Sequence, residues 1–256
     1  MSNQRLQRIR NWQSSEFYAR LVMRPLTILV LLLVGDWRWL TPNRVTTMAN
    51  AAKFLGAALL VVDHHAYGLA AALLIQVGLL LDHLDGTLAR YRGCTTTFGA
   101  FYDKVSDALT WLAITGAVGW AAYRDSGDAR LPIAAVASAY ALLVLGYMKW
   151  IVVAEQKKLD WVQSRRIPRA VVQAPPSRTP RQWAGWFLSS LLRIVMFEEV
   201  DLFFWIGLGI VLDRLELLCW LLVVSQGVQL VIMMIKRALQ ARALDEAAEQ
   251  QSRLAA

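Results

Sequence analysis

Four aspartates lie close together in one stretch of the sequence, 82–107, and are the residues best suited to chemistry. Asp82 and Asp85 are spaced i, i+3, and Asp103 and Asp107 are spaced i, i+4. On a helix, either spacing places both side chains of a pair on one face. Unpaired carboxylates would repel one another, and a hard divalent cation would remove that repulsion. The four acids could therefore hold two such ions, an arrangement that clamps both ends of a phosphoryl displacement.

Three further residues beside these acids suit a phosphate ligand. Gly86 lets the chain turn and a phosphate approach closely. Arg90 offers a planar guanidinium that matches phosphate oxygens, and Gly99 lets the second helix pack tightly before Asp103. The alternative is a pair of buried ion pairs between helices. The stretch contains too few cations to pair four acids, which argues against that alternative.

The spacing D-x2-D-G-x2-A-R-x8-G-x3-D-x3-D resembles the signature of the CDP-alcohol phosphatidyltransferase family. A second and weaker match, the segment 42–46, resembles the PNxxT element at the start of that family's first span. All eight fixed positions of the signature are occupied here, by Asp82, Asp85, Gly86, Ala89, Arg90, Gly99, Asp103 and Asp107.

The resemblance implies a transferase that moves a substituted phosphate from a CDP-alcohol, such as CDP-diacylglycerol, to an alcohol acceptor and releases CMP. It implies two Mg²⁺ or Mn²⁺ ions bound by Asp82, Asp85 and Asp103, with Asp107 as both metal ligand and general base. It also assigns donor contacts to Gly86, Ala89, Arg90, Thr96, Gly99, Asn43 and Thr46.

The acceptor alcohol is less constrained by the sequence. Glycerophosphate-using relatives carry PNxLTxxR, and Ala49 here replaces its arginine, so a phosphatidylglycerophosphate-type synthase is the alternative. Choline-using bacterial members tend to have a longer gap before the glycine than the eight residues found here. A phosphorylated polyol such as inositol phosphate remains as the acceptor, as do other alcohols. Lys149 and Arg193 are the candidate cations for its phosphate, unless they reach lipid phosphates instead. Lys104 directly follows Asp103 and is expected to point away from the acids.

The composition indicates a polytopic membrane protein. Of the 256 residues 57% are hydrophobic, and the mean hydropathy of +0.40 is too high for a soluble domain of this length. The net charge of +8 is concentrated in loops, which favours the positive-inside rule over nucleic-acid binding. Cys94 and Cys219 lie on distant segments and suggest neither a disulfide nor a zinc framework.

The predicted architecture is an all-α bundle of six transmembrane helices with an N-terminal interfacial amphipathic helix at 26–34, a run too short to span. The alternative interpretation of this region is a transmembrane span over 21–40. His64 and His65 are expected in a solvated turn. The parts are a juxtamembrane segment 1–41, a membrane domain 42–236 with a basic linker 155–182, and a charged tail 237–256. The spans are expected near 42–62, 66–88, 98–122, 131–154, 199–212 and 217–235.

The distribution of positive charge predicts the orientation. Segments assigned to one side carry 19 Lys and Arg, and the opposite turns carry three. This places both termini and the four aspartates in the cytoplasm, with the protein in the inner membrane. Membrane lipids are expected partners, nucleic acid is not, and a homodimer is left open. A transporter is disfavoured because the acids cluster at one membrane face, and an inactive scaffold because the signature is intact.

Overall fold

The structure is a computed structural model that describes residues 16–164, 180–191 and 197–255. Every regular element within these ranges is helical, which confirms the predicted all-α class. A π-helical turn at Ala19–Met23 leads into the first α-helix. The seven α-helices in these ranges are α1 Arg24–Val34, α2 Pro42–Arg92, α3 Thr97–Ser126, α4 Arg130–Ser164, α5 Pro180–Leu191, α6 Glu199–Val211 and α7 Leu215–Ala255.

Helix α2 is interrupted at Asp63, so its two halves correspond to the first two predicted spans. The backbone of Asp63 is extended, with φ −164° and ψ 100°, and its carboxylate Oδ1 accepts a hydrogen bond from the Ala66 amide at 3.1 Å. That bond caps the second half, because the first amides of a helix have no intrahelical acceptor. The break turns the chain back on itself.

Two glycines allow the halves of α2 to pack closely. A Cβ atom at Gly56 would lie 2.8 Å from Ile75 Cγ1, and one at Gly78 would lie 2.6 Å from Lys53 Cγ. Both distances are below van der Waals contact, so a larger residue at either position would force the halves apart. This packing brings Lys53, from the middle of the first half, towards the acidic end of the second.

The core lies where α2, α3, α4, α6 and α7 meet. Its members are mostly aliphatic and alanine side chains, among them Leu60, Ile75, Ile114, Leu131 and Ile206, each with no exposed surface. A smaller cluster packs α1 against both ends of α2 and includes Leu31, Val45 and Tyr91. These contacts fix the end of α2 that carries the acids.

Within the described residues, three helices are long and apolar enough to cross a membrane: Pro42–Arg92, Arg130–Gln156 and Leu215–Glu249. Large apolar side chains on their outer faces are more than half exposed, for example Leu73 at 58%, Ile133 at 70% and Leu217 at 67%. A water-soluble protein rarely exposes apolar surface that is as continuous as this. The chain therefore has the character of a membrane protein.

The linker predicted over 155–182 differs from the structure at its start. Helix α4 continues to Ser164, so the first ten linker residues are helical. They contain no proline, and the first proline of the linker, Pro168, lies beyond the end of the helix. The predicted charged tail is helical and continuous with α7 to Ala255.

Candidate active site

A tight turn between α2 and α3 brings the two aspartate pairs together. Gly93 ends α2 in a left-handed conformation, with φ 68° and ψ 34°, which favours glycine. Thr96 begins α3 as its N-cap, and its hydroxyl accepts a hydrogen bond from the Gly99 amide at 3.0 Å. The last turns of α2 therefore face the first turns of α3.

Three of the four aspartates form a cluster with metal-binding geometry. One carboxylate oxygen each from Asp82, Asp85 and Asp103 lies within 4.8 Å of the others. Asp85 is buried, and its Oδ2 accepts a short hydrogen bond from the Thr46 hydroxyl. Asp82 Oδ1 is also buried and lies within ion-pair distance of a lysine ammonium, at 3.3 Å, without a well-formed hydrogen bond. Three carboxylates gathered in this way fit a hard divalent cation such as Mg²⁺ or Mn²⁺.

The fourth aspartate joins the cluster through a buried lysine that the sequence analysis missed. Lys53 is 1% exposed, and its Nζ lies 3.3 Å from Asp82 Oδ1 and 3.7 Å from Asp107 Oδ1. The same ammonium lies 5.5 Å from the centre of the Phe203 ring. A charged residue in the middle of an apolar span is costly and is therefore a functional candidate. That signal was present in the sequence at Lys53.

The prediction that Lys104 points away from the acids is wrong. Its Nζ lies 3.1 Å from Asp103 Oδ2 and 2.9 Å from Asp107 Oδ2. Asp107 is one helical turn further on, and the long lysine side chain reaches it although adjacent residues do not share a face. The cluster thus has two cations, Lys53 and Lys104, one of them from outside the acidic stretch. Asp82, Asp103 and Asp107 therefore form ion pairs with these lysines, and the acids still present a group of carboxylate oxygens that could bind a metal ion.

A cavity of about 190 Å³ lies beside Asp85 and Asp103. Arg90 covers Gly86 inside it, since a Cβ atom at Gly86 would lie 3.3 Å from the Arg90 guanidinium. A side chain at this position would require the Arg90 guanidinium to shift by a few tenths of an ångström. The structure brings all seven predicted donor contacts together as lining of this cavity, namely Gly86, Ala89, Arg90, Thr96, Gly99, Asn43 and Thr46.

The start of α2 supports this cavity through hydroxyl contacts. The Thr46 hydroxyl donates to Asp85 Oδ2, and it also lies 3.2 Å from the Pro42 carbonyl oxygen, the usual partner of a threonine within a helix. Thr47 contacts the Tyr102 hydroxyl of α3 at 3.1 Å. Thr46 of the PNxxT element and the adjacent Thr47 therefore tie the start of α2 to both acid-bearing segments.

Of the two predicted acceptor residues, the structure describes only Lys149, which does not line this cavity. Lys149 is exposed on α4, and no described α4 residue lines the cavity. Arg193 lies outside the described residues. A role for either in binding an acceptor stays a prediction.

Comparison with known proteins agrees with the signature. The family model of the CDP-alcohol phosphatidyltransferases matches residues 39–175, more than half of the chain. A phosphatidylinositol phosphate synthase of Corynebacterium glutamicum is 31% identical over 132 residues, which cover 51% of this chain and 57% of that protein. The synthase of Mycobacteroides abscessus is 32% identical over 110 residues, covering 43% and 49% respectively. The chain thus spans about half the length of the curated relatives it matches.

Solved structures share the fold. Mycobacterium tuberculosis phosphatidylinositol phosphate synthase with CDP-DAG bound has a TM-score of 0.53 at 22% identity, covering 84% of this chain and 93% of that chain. The same enzyme in complex with manganese and citrate has a TM-score of 0.52 at 22% identity, covering 86% and 88%. The resemblance inferred from the eight signature positions is confirmed, and this chain belongs to the CDP-alcohol phosphatidyltransferase family.

Proposed function

We propose that this protein transfers a phosphatidyl or similar substituted phosphate from a CDP-alcohol to an alcohol acceptor and releases CMP. The observation that carries the proposal is the carboxylate cluster of Asp82, Asp85 and Asp103 placed directly beside a cavity that Arg90 and Gly86 line. A diphosphate in that cavity would meet a guanidinium fork on one side and the acids on the other. The solved relative with CDP-DAG bound supports a CDP-diacylglycerol donor.

Divalent ions held by the four aspartates would neutralise the diphosphate and stabilise the departing CMP. The manganese complex of the structural relative supports such ions, and Mg²⁺ is the other candidate. Thr46 orients Asp85 by donating a hydrogen bond to it. Arg90 binds diphosphate oxygens in a fixed orientation, and the absence of a side chain at Gly86 lets the guanidinium lie close to the helix.

Asp107 is the proposed general base. In the reaction the acceptor oxygen forms a bond to the β-phosphorus, the phosphoanhydride bond breaks, and CMP takes the bonding electrons. The acceptor proton passes to an Asp107 carboxylate oxygen. Lys104 and Lys53 contact the two oxygens of this carboxylate from different sides and hold it at the edge of the cluster.

Inositol phosphate is the proposed acceptor, because the relatives from Corynebacterium and Mycobacteroides are phosphatidylinositol phosphate synthases. The test uses purified full-length protein, labelled CDP-diacylglycerol, and inositol phosphate, glycerol phosphate, inositol and choline as acceptors. CMP release should be fastest with inositol phosphate, and the product mass should equal a phosphatidylinositol phosphate. Lys149→Ala should raise KM for this acceptor roughly tenfold, since a charge-assisted contact contributes about 1.5–3 kcal/mol.

The control is Lys236→Ala, which removes another exposed lysine, on α7. It should leave acceptor KM unchanged, and neither variant should alter donor KM. Fastest turnover with an uncharged alcohol would exclude a phosphorylated acceptor. No CMP release with any acceptor would reject the transferase proposal itself.

We infer further that six spans cross the inner membrane, with α2 contributing one span on each side of Asp63. The described break and the charge asymmetry support this arrangement. In a background of Cys94→Ala and Cys219→Ser, cysteines at Ser126 and Arg214 should react with an impermeant maleimide in intact cells. One at Ser177 should react only after permeabilisation. Labelling at Ser177 in intact cells would overturn the orientation.

A further inference from the structure

A second group of metal-ligating residues lies at the other end of the bundle. His64 and His65 follow the break in α2, Asp125 lies near the end of α3, and Asp213 lies in the turn between α6 and α7. Asp63 precedes Asp82 by 19 residues, so this end of the helix lies about 28 Å from the acidic cluster at 1.5 Å per residue. The group is thus separate from the proposed active site.

The donor atoms are spaced as ligands of one ion would be. His64 Nε2 lies 2.8 Å from Asp125 Oδ2 and 3.6 Å from Asp213 Oδ1. His65 Nε2 lies 3.3 Å from Asp125 Oδ1 and its Nδ1 lies 3.5 Å from Asp213 Oδ2, and one of these two ring nitrogens would be the ligand. Ligands about 2.0–2.1 Å from a tetrahedral ion are separated by about 3.3 Å, which these distances bracket. One ligand atom each from His64, His65 and Asp213 lies within 4.8 Å of the others.

An independent sign of a missing ligand comes from His64. Its side chain is 5% exposed, and its Nε2 has no hydrogen-bond partner among the described residues. Two carboxylate oxygens lie near this nitrogen instead, Asp125 Oδ2 at 2.8 Å and Asp213 Oδ1 at 3.6 Å. A buried imidazole nitrogen that faces two carboxylates without a well-formed hydrogen bond calls for an explanation, and a bound ion between them is one. The sequence expectation of a solvated turn is therefore wrong for His64, which is buried.

The surrounding structure holds these residues in place. Arg124 donates from NH1 to the Val61 and Val62 carbonyls at 3.1 and 2.8 Å, which ties the end of α3 to the break in α2. Asp213 adopts a positive φ of 53°, a conformation that non-glycine residues rarely take. The two imidazole rings lie 3.9 Å apart between centroids. Three separate segments thus converge on one point.

We propose that His64, His65 and Asp213, with Asp125 as the fourth donor, form a binding site for a transition-metal ion of the Zn²⁺ class. Two imidazole nitrogens and two carboxylate oxygens favour Zn²⁺ over Mg²⁺ or Ca²⁺, which prefer oxygen ligands alone. Three of these donors lie within 4.8 Å of one another, and Asp125 contacts both histidines from the end of α3. The bound ion joins the break in α2, the end of α3 and the α6–α7 turn.

Cobalt provides a probe that distinguishes this site from the acidic cluster. Tetrahedral Co²⁺ with nitrogen ligands absorbs visible light strongly, whereas octahedral Co²⁺ with oxygen ligands absorbs weakly. Titrating metal-stripped full-length protein with Co²⁺ should produce the intense bands, and one equivalent of Zn²⁺ should abolish them. The combined variant Asp82→Asn, Asp85→Asn, Asp103→Asn should keep them. The readout is independent of enzymatic activity.

Asp213→Asn is the decisive variant, because asparagine tolerates positive φ and the side chain is 57% exposed, so the fold is preserved. It should lose the intense bands, and Asp125→Asn should weaken Co²⁺ binding about tenfold or more. Zn²⁺ at a hundredfold excess over its Kd should raise the Tm of the wild type by about 5 °C and leave that of Asp213→Asn unchanged.

Matched controls are available for both ligand types. His83→Gln removes the third histidine, and Asp128→Asn removes an acid that is paired with Arg130 close to Asp125. Both should retain the intense bands. If the intense bands are absent in the wild type, or persist in Asp213→Asn, then His64, His65 and the two aspartates form ordinary ion pairs. Either result would overturn the proposal.

Discussion

Replacing Asp107 by asparagine should reduce CMP release at least a hundredfold and leave donor binding largely intact. A positioned general base contributes about 10²–10⁴-fold to a proton transfer, and an amide cannot accept the proton. Asparagine keeps the size of the side chain and an oxygen for the Lys104 ammonium, which lies 2.9 Å from Asp107 Oδ2. Measuring kcat beside the Kd of the CDP-alcohol separates chemistry from binding.

Asp82→Asn provides the contrast to Asp107→Asn. Asp82 belongs to the cluster of three carboxylates, so its replacement should weaken both cation and donor binding. Asp128→Asn, at the other end of the bundle and outside the proposed site, should retain wild-type turnover. A kcat near that of the wild type in Asp107→Asn would mean that another group takes the proton.

Removing divalent cations should abolish turnover, and adding Mg²⁺ or Mn²⁺ should restore it. Asp82, Asp85 and Asp103 present oxygens within 4.8 Å of one another, and a diphosphate beside them would add further negative charge. Without a cation this repulsion opposes donor binding as well as the chemistry. The measurement is CMP release after EDTA treatment, followed by addition of each ion separately.

EDTA would also remove an ion from the proposed histidine site, so the control must separate the two losses. In the variant Asp213→Asn, EDTA should still abolish turnover, and Mg²⁺ or Mn²⁺ without Zn²⁺ should still restore it. Full activity in protein shown to be free of metal would refute the role given to the acidic cluster.

Much of the site could be predicted because its residues are close in sequence. Asp82, Asp85, Asp103 and Asp107 lie on two helices joined by one short turn, so spacing alone indicates which faces meet. The break near Asp63 was also predictable, because an acid and two histidines interrupt a long apolar run. Local patterns of this kind do not depend on how distant helices pack.

Contacts between distant segments could not be predicted in the same way. Lys53 precedes Asp82 by 29 residues, and only the close packing at Gly56 and Gly78 brings the two together. The carboxylates that His64 contacts, Asp125 and Asp213, lie at other helix ends and are distant from it in the sequence. The Lys104 error had another cause: helix geometry assigns a face to the Cβ atom, while a long side chain can reach the neighbouring face.

Lys53 has a consequence for how the protein is assembled in the cell. A newly made chain must pack the four acids together before any ion has reached them, and the buried ammonium beside Asp82 and Asp107 supplies positive charge at that stage. When an ion arrives, the ammonium retains the Phe203 ring, 5.5 Å away, as a second partner. Binding of a divalent ion then replaces the Lys53 ammonium as the positive charge beside the acids, in a protein that is already folded. Cells starved of divalent metal should therefore accumulate folded protein that, under the proposed function, gains activity on metal addition without new synthesis.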